Sequence, residues 1–167
     1  MGAMPAAQAA DYPAKPITVV VPFPPGGLTD LIGRRFAAHL EKQTGQSVIV
    51  QNKAGASGQV GAQGVARDAP DGYTVLMANQ GPMVVNPHLF KNMKVDPLAA
   101  FDPVTLITSA PLALVVPAKS AKKTAADFFA YAKQNPGKLS YGSAGNGSAS
   151  HLATVLLAQV SGLQAVH

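Results

Sequence analysis

The chain has 167 residues, of which 47% are hydrophobic and 13% charged, and this balance excludes an intrinsically disordered protein. Its length suits one domain, or one domain and part of another, with a sizeable buried core. The net charge of +5 comes from scattered lysines and arginines and does not favour nucleic-acid binding. The absence of cysteine excludes disulfides and thiolate metal sites.

The first ten residues have the composition of a leader. Ala7-Gln8-Ala9 matches the small-x-small pattern of a signal-peptidase site, although no basic and no apolar region precedes it. We interpret residues 1–10 as a signal-peptide remnant or an expression leader, and an ordinary Ala-rich disordered leader explains the same residues. A signal peptide would direct the protein to the periplasm.

Residues 17–30 predict a buried strand, a rigid turn and the start of a helix. The β-branched run at 17–21 is typical of a strand in a parallel sheet, and the prolines that follow force the chain out of the sheet. Gly26 and Gly27 let the main chain approach a ligand, and Thr29 or Asp30 is expected to cap the helix. Free N–H groups at such a helix start favour the binding of a small anion.

The remainder of the first half predicts an α/β unit with parallel strands. Its predicted elements are, in order, a helix over 29–44 ended by Gly45, a strand at 48–50, a helix to about residue 66 and a strand at 73–77. The glycines spaced by three over 55–64 lack dinucleotide-binding spacing, so we predict a helix packed on the sheet through its glycines. The loop at 79–82 would lie beside the 22–30 turn if the sheet is doubly wound.

The second half is predicted to begin near Asp102, after a connective stretch broken by two prolines. Its predicted elements are, in order, strands at 104–107 and 112–116, a helix from Thr124, a strand at 139–142, a helix after 143–151 that ends at Gly162, and an incoming strand at 163–167. The last helix is expected to direct Leu152, Val155, Leu156 and Val160 toward a core.

The loop over 143–151 combines glycines with polar side chains before a helix, as the 22–30 turn does, but with different residues. Gly145 and Gly147 free the backbone, while serines and an asparagine supply hydroxyl and amide donors around a helix start. Two such loops in one chain predict a site in which both loops bind a single ligand. Two ordinary capped helices are the alternative.

Catalytic and metal-binding patterns are weak in this sequence. Ser150 and His151 are adjacent and do not face each other on a helix, and no G-x-S-x-G elbow occurs. The four histidines lack metal-ligand spacing, and an aspartate such as Asp30 near a helix start is more typical of a cap than of a general base. We therefore predict no catalytic residue, no metal and no cofactor.

Four motifs occur in a characteristic order between residue 11 and the last residue. They are Tyr12-Pro13-x-Lys15-Pro16-Ile17, Val20-Val21-Pro22-Phe23-Pro24-Pro25-Gly26-Gly27-x-Thr29-Asp30, Ala69-Pro70-Asp71-Gly72-Tyr73-Thr74 and Tyr141-Gly142-Ser143-Ala144-Gly145-Asn146-Gly147-Ser148-x-Ser150-His151-Leu152. Together these motifs resemble the extracytoplasmic solute receptors of tripartite tricarboxylate transporters, also called Bug receptors.

The resemblance implies an α/β fold of the type II periplasmic-binding-protein kind, in which two lobes close on a small carboxylated solute. The implied lobes are residues 11–101 and 102–167, and the implied partner is a two-component membrane permease. Ligand contacts are implied in three loops, which hold Phe23, Pro24, Gly26, Gly27, Thr29, Asp30, Asn79, Gln80, Gly81, Ser143, Gly145, Asn146, Gly147, Ser148, Ser150 and His151.

Receptors of this family are nearly twice as long as this chain, so we expect a receptor that lacks its C-terminal half. Such a chain would be a periplasmic, non-enzymatic receptor with incomplete lobes. The alternative is a truncated fragment with impaired or no ligand binding. It would persist as a self-associated structural module, a homodimer formed through unpaired sheet edges.

Overall fold

A computed structural model describes residues 12–167, so the predicted leader at residues 1–10 lies outside the described residues. The chain divides into two compact units, the first ending at Asn79 and the second running from Gln80 to His167. The lobe boundary expected near Asp102 stays a prediction. Within residues 12–167, no helix is both long enough and apolar enough to cross a membrane.

The first unit is built on a three-stranded parallel sheet, as the strand–helix–strand order predicts. Its elements are β1 (Ile17–Val21), α1 (Leu28–Thr44), β2 (Val48–Asn52), a 3-10 turn (Ala56–Gly58), α2 (Gln59–Val65) and β3 (Thr74–Leu76). The strand order is β2-β1-β3, which places β1 in the centre. Gly45 ends α1 with φ 71°, a left-handed conformation that glycine adopts readily.

The core of this unit forms around β1, whose β-branched side chains are almost fully buried. Val19 and Val21 are both 0% exposed and cluster with Ala37 of α1 and Met77. Alternate residues of a strand point to opposite faces, so these two valines share the face that α1 covers. The carboxyl end of β1 is therefore held rigidly where the 22–30 loop begins.

Helix α2 approaches the sheet closely through one glycine. A Cβ atom added to Gly61 would lie 2.7 Å from Pro22 Cβ and 2.9 Å from both Pro22 Cα and the Lys53 carbonyl oxygen. The same atom added to Gly64 would meet nothing nearer than 3.8 Å. The predicted packing through glycines is therefore confirmed, with Gly61 as the close contact.

The second unit contains short helices and one pair of parallel strands. Its elements are a π-helical turn (Gly81–Val85), α3 (Asn86–Leu89), α4 (Pro97–Ala100), α5 (Ala125–Gln134), β4 (Leu139–Ser140), α6 (Ala149–Ser161) and β5 (Ala165–Val166). The start of α5 at N-cap Thr124 is as predicted, and a reciprocal pair of hydrogen bonds with Asp127 fixes it. The stretch predicted to be connective instead forms the helical turns between Gly81 and Ala100.

Two predictions about the second unit are wrong. Residues 104–107 and 112–116 form no strands, because no part of the chain within residues 12–167 pairs with them, and a strand needs a hydrogen-bonding neighbour. Helix α6 buries none of its residues: of the four side chains expected in a core, Leu152 is half-buried, while Val155, Leu156 and Val160 are exposed, Val160 by 79%. In both places the apolar pattern is present in the sequence, but the described chain supplies nothing to cover it.

Candidate functional site

Helix α1 begins without a side-chain cap. Its N-cap residue is Gly27 (φ −76°, ψ 170°), and no side chain accepts a hydrogen bond there, so the expected capping by Thr29 or Asp30 is not found. The first intrahelical bond runs from Leu31 N–H to the Gly27 carbonyl oxygen (3.0 Å). The earlier N–H groups of the first turn therefore have no acceptor within the helix. A helix start of this kind suits an anionic group.

Asp30 lies beneath this loop, with only 2% of its surface exposed. Its Oδ2 accepts hydrogen bonds from Gly26 N–H (2.8 Å) and Arg34 Nε (3.0 Å), and its Oδ1 accepts one from Asn52 Nδ2 (2.9 Å). Asn52 also donates to the Phe23 carbonyl oxygen (3.1 Å) and accepts from Arg34 Nη2 (3.0 Å). These contacts close a network that links β2, α1 and both sides of the loop.

The network favours the ionised form of the buried carboxylate. The hydrogen bond from Arg34 is the main cause that lowers the pKa of Asp30 to about 2, and the Gly26 N–H and Asn52 amide lower it further against the opposing effect of burial. The folded-state pKa lies below the ordinary value of 3.8, so ionisation of Asp30 stabilises the fold. This stabilisation is complete above about pH 4 and is lost as the pH falls through about 2.

The chain that follows β3 starts beside the 22–30 loop. Met77 N–H donates to the Val20 carbonyl oxygen (2.9 Å), so the carboxyl ends of β1 and β3 lie side by side. Asn79 follows two residues later and is exposed. Phe23, Pro24, Gly26, Gly27, Thr29, Asp30 and Asn79 thus lie at one edge of the sheet of the first unit.

In the second unit, the 143–151 loop is organised by its own serines. Ser148 is the N-cap of α6, and its Oγ accepts from His151 N–H (3.2 Å). Ser150 Oγ accepts from Ala144 N–H (3.1 Å), and His151 Nδ1 accepts from Gly147 N–H (3.2 Å). Several of the expected ligand donors therefore also shape the loop itself.

This loop packs on the helical segment that begins at Gly81. Gly147 is buried with φ 78°, and a Cβ atom added there would lie 2.8 Å from Leu89 Cδ1 and 3.5 Å from Asn86 Oδ1. The structure therefore brings the 143–151 loop against the short helices after Gln80 and Gly81. Whether these residues bind a ligand stays a prediction.

Two aromatic residues beside this loop were missed by sequence reasoning. His167 Nε2 lies 2.7 Å from Ser143 Oγ, and its ring stacks on Tyr141 and contacts the His151 ring at 4.5 Å between centroids. Parallel pairing of β4 with β5 brings them together. No local sequence signal indicates this cluster, because His167 lies 24 residues after Ser143 and reaches it only through the pairing of β4 with β5.

The first unit also contains an open cavity of about 370 Å³. It is lined by Lys15, Thr18, Val20, Gln51, Lys53, Asp68, Ala69, Asp71, Tyr73 and Thr74, and none of these is a predicted ligand contact. Lys15 and Asp71 in its wall pair at 2.9 Å, and the lining carries as many aspartates as lysines. The 22–30 loop is the better candidate for an anion site, because the first-turn N–H groups of α1 have no acceptor within the helix.

Across residues 12–167, no three histidine, aspartate or glutamate side chains are grouped so that they would hold a metal ion.

Comparison with known proteins agrees with this fold. A UPF0065 protein of Bordetella pertussis is 39% identical over 163 residues, which cover 96% of this chain and 50% of that protein. The R. palustris protein Rpa4515, solved with adipate, superposes with a TM-score of 0.90 at 36% identity, covering 93% of this chain and 52% of that one. MatC (Rpa3494) from Rhodopseudomonas palustris, solved with bound malate, gives 0.81 at 32% identity, covering 93% and 53%.

The fold is that of periplasmic solute-binding proteins, several of which superpose on this chain. Residues 32–167 match the sequence profile described as "Tripartite tricarboxylate transporter family receptor". The chain belongs to this family of solute-binding receptors. It spans about half the length of the curated relatives it matches.

Proposed function

We propose that this chain belongs to a non-enzymatic periplasmic receptor that captures a small carboxylated solute and delivers it to a membrane permease. The observation that carries the proposal is the uncapped start of α1, whose first-turn N–H groups stand at the carboxyl end of the central strand. Two similar proteins, Rpa4515 and MatC, were solved with adipate and malate, which supports a carboxylate as the solute.

In the proposed site, main-chain N–H groups of the 22–30 loop bind a carboxylate of the solute, and we propose that the 143–151 loop also supplies main-chain donors. Hydroxyl groups of the second loop add donors, and no arginine or lysine is needed to pair with the solute. Asn79, which follows β3, is also proposed to contact the solute, as are Gln80 and Gly81. Hydrogen bonds to a charged group are each worth about 1.5–3 kcal/mol, so a few amides suffice for tight capture.

The first prediction tests one N–H group of the α1 start. Leu28 is the first helical residue and its side chain is 60% exposed, and proline is well tolerated at this position. Gly27 before it has the extended conformation that a following proline requires. Leu28→Pro therefore deletes one N–H group with little cost to folding, and Leu28→Ala reports the effect of losing the side chain alone.

Calorimetry of the 167-residue chain with adipate and with malate measures the result. We expect Leu28→Pro to weaken binding at least about tenfold more than Leu28→Ala does, the loss of one hydrogen bond to a charge. Equal affinities of the two variants would remove the N–H groups of α1 from the site. A wild-type chain that binds neither these nor other small carboxylic acids would refute the proposed function.

A second proposal concerns self-association, and the exposed segment 103–118 favours it. The segment contains no charged residue, and Val104, Leu106 and Val115 are each more than 80% exposed. We propose that two copies pair through residues 112–116, which lie between Pro111 and Pro117. Antiparallel pairing centred on Leu114 places each proline just outside the paired residues. No hydrogen bond of the ladder then requires the N–H group that proline lacks.

Light scattering after size exclusion tests this pairing. We expect a dimer at low micromolar concentration for the wild type and a monomer for Leu114→Lys, since the substitution would set two like charges opposite each other. Leu98→Lys is the control, because Leu98 is 89% exposed and lies outside the segment. A monomeric wild type at this concentration would refute the proposal.

A further inference from the structure

The hydrogen bonds inside the 22–30 loop decide which of its amides remain for a solute. The Gly26 N–H is directed at Asp30 Oδ2 (2.8 Å), and the Leu31 N–H at the Gly27 carbonyl oxygen (3.0 Å). The amides of Gly27, Leu28, Thr29 and Asp30 lie between these two and have no acceptor in the helix, and those of Leu28 and Thr29 belong to its first two residues. The loop therefore offers its anion site at the helix start and not at Gly26.

Arg34 and Asn52 hold the carboxylate that shapes the loop. Arg34 donates through Nε to Asp30 and through Nη2 to Asn52, so one guanidinium bridges both side chains. Asn52, the last residue of β2, ties Asp30 and the Phe23 carbonyl oxygen to the sheet. The loop is thus fixed from the strand behind it and from the second turn of α1.

The Asp30 charge would by itself weaken the binding of an anion. The negative charge of a carboxylate at the start of α1 offsets the positive end of the helix dipole, and this positive end would otherwise attract a carboxylate of the solute. Arg34 lies 3.0 Å from Asp30 and carries the compensating charge, and its side chain is half exposed. The pair leaves the helix start without a net negative charge.

We propose that Asp30, Arg34 and Asn52 are positioning residues of the solute site, and that none of them touches the solute. This inference depends on the proposed function for its ligand. The network holds the Phe23 carbonyl and the Gly26 amide in place, so the Leu28 and Thr29 amides face the solute, while Arg34 cancels the charge of Asp30. Asp30, expected from the family resemblance to contact the ligand, acts instead through the loop.

The test compares two neighbouring arginines. Arg34→Gln and Arg35→Gln remove the same charge from α1, but Arg35 is exposed and is not part of the network. Asn52→Asp keeps the shape of the side chain, removes its donors and sets a second carboxylate against Asp30. Circular dichroism and thermal unfolding establish that each variant is folded, and the readouts are hydrogen exchange of the Gly26 amide and calorimetry with malate and adipate.

We expect Arg34→Gln and Asn52→Asp to accelerate exchange of the Gly26 amide and to weaken binding about tenfold, while Arg35→Gln stays within about twofold of the wild type. The loss in Arg34→Gln should be larger at low than at high ionic strength, which a purely structural role would not produce.

Retained Gly26 protection in Arg34→Gln and Asn52→Asp, or affinities equal to that of Arg35→Gln, would overturn the proposal. A wild-type chain that binds no acid would refute the proposed function and the ligand role together. In that case the Gly26 exchange rates still decide whether the three side chains hold the loop.

Discussion

Gly61→Ala is expected to destabilise the first unit by about 2 kcal/mol, because the added methyl group has no space. Its Cβ would lie 2.7 Å from Pro22 Cβ and 2.9 Å from the Lys53 carbonyl oxygen, and neither neighbour is the movable end of a flexible side chain. Helix α2 must therefore shift away from β1. The displacement would also move Pro22, where the 22–30 loop leaves the sheet.

Gly64→Ala is the matched control for this prediction. It makes the same change in the same helix, but the nearest atom is a lysine methylene at 3.8 Å. Alanine favours a helix over glycine by up to about 1 kcal/mol, so this variant should be as stable as the wild type or slightly more stable. Thermal unfolding followed by circular dichroism should place Gly61→Ala about 10 °C below Gly64→Ala. Equal unfolding midpoints would show that α2 does not pack this closely on β1.

The first unit was largely predictable from sequence because its elements follow one another in strand–helix–strand order. A β-branched run, a proline-rich exit and an apolar helix face occur in succession, and each element finds its partner within about sixty residues. The strand–helix–strand succession predicts the parallel pairing of the strands. At most of the strand and helix ends, the predicted boundary differs from the observed one by no more than two residues.

The side-chain network that holds the 22–30 loop could be predicted only in part. Asp30 and Arg34 are spaced i, i+4 on one helix, and this spacing is visible in the sequence and typical of an ion pair. Asn52 gives no such signal, because it lies 22 positions from Asp30 and looks like the start of a glycine-rich connection. Its role depends on the register of β2 against β1, which pairs it with Val21.

The second unit shows the opposite case, in which correct local patterns do not give the predicted structure. Residues 104–107 and 112–116 have strand composition, and α6 has an apolar face, yet none of these side chains is buried. Strand formation and burial need a second surface, and none of the chain within residues 12–167 provides one. Sequence periodicity indicates which face of an element is apolar, but it does not supply the surface that covers this face.

Gly147→Ala is expected to give the largest effect in the second unit, through both its backbone and its packing. Gly147 has φ 78°, and a left-handed conformation costs a residue with a Cβ atom roughly 1–2 kcal/mol. The methyl group would also lie 2.8 Å from Leu89 Cδ1 and 3.5 Å from Asn86 Oδ1. We therefore expect a total loss of about 2–3 kcal/mol and a displaced 143–151 loop.

Gly162→Ala separates these two causes. Gly162 ends α6 with φ 69°, nearly the same conformation, but a Cβ atom there meets nothing within 4 Å. It should lose only the conformational part, about 1–2 kcal/mol, and should keep the affinity of the wild type for malate and adipate. Gly147→Ala should bind these acids at least about tenfold more weakly, because the loop amides and serines move away from the solute. If the two variants have equal stability and equal affinity, the contact between the 143–151 loop and α3 neither stabilises the unit nor shapes the site.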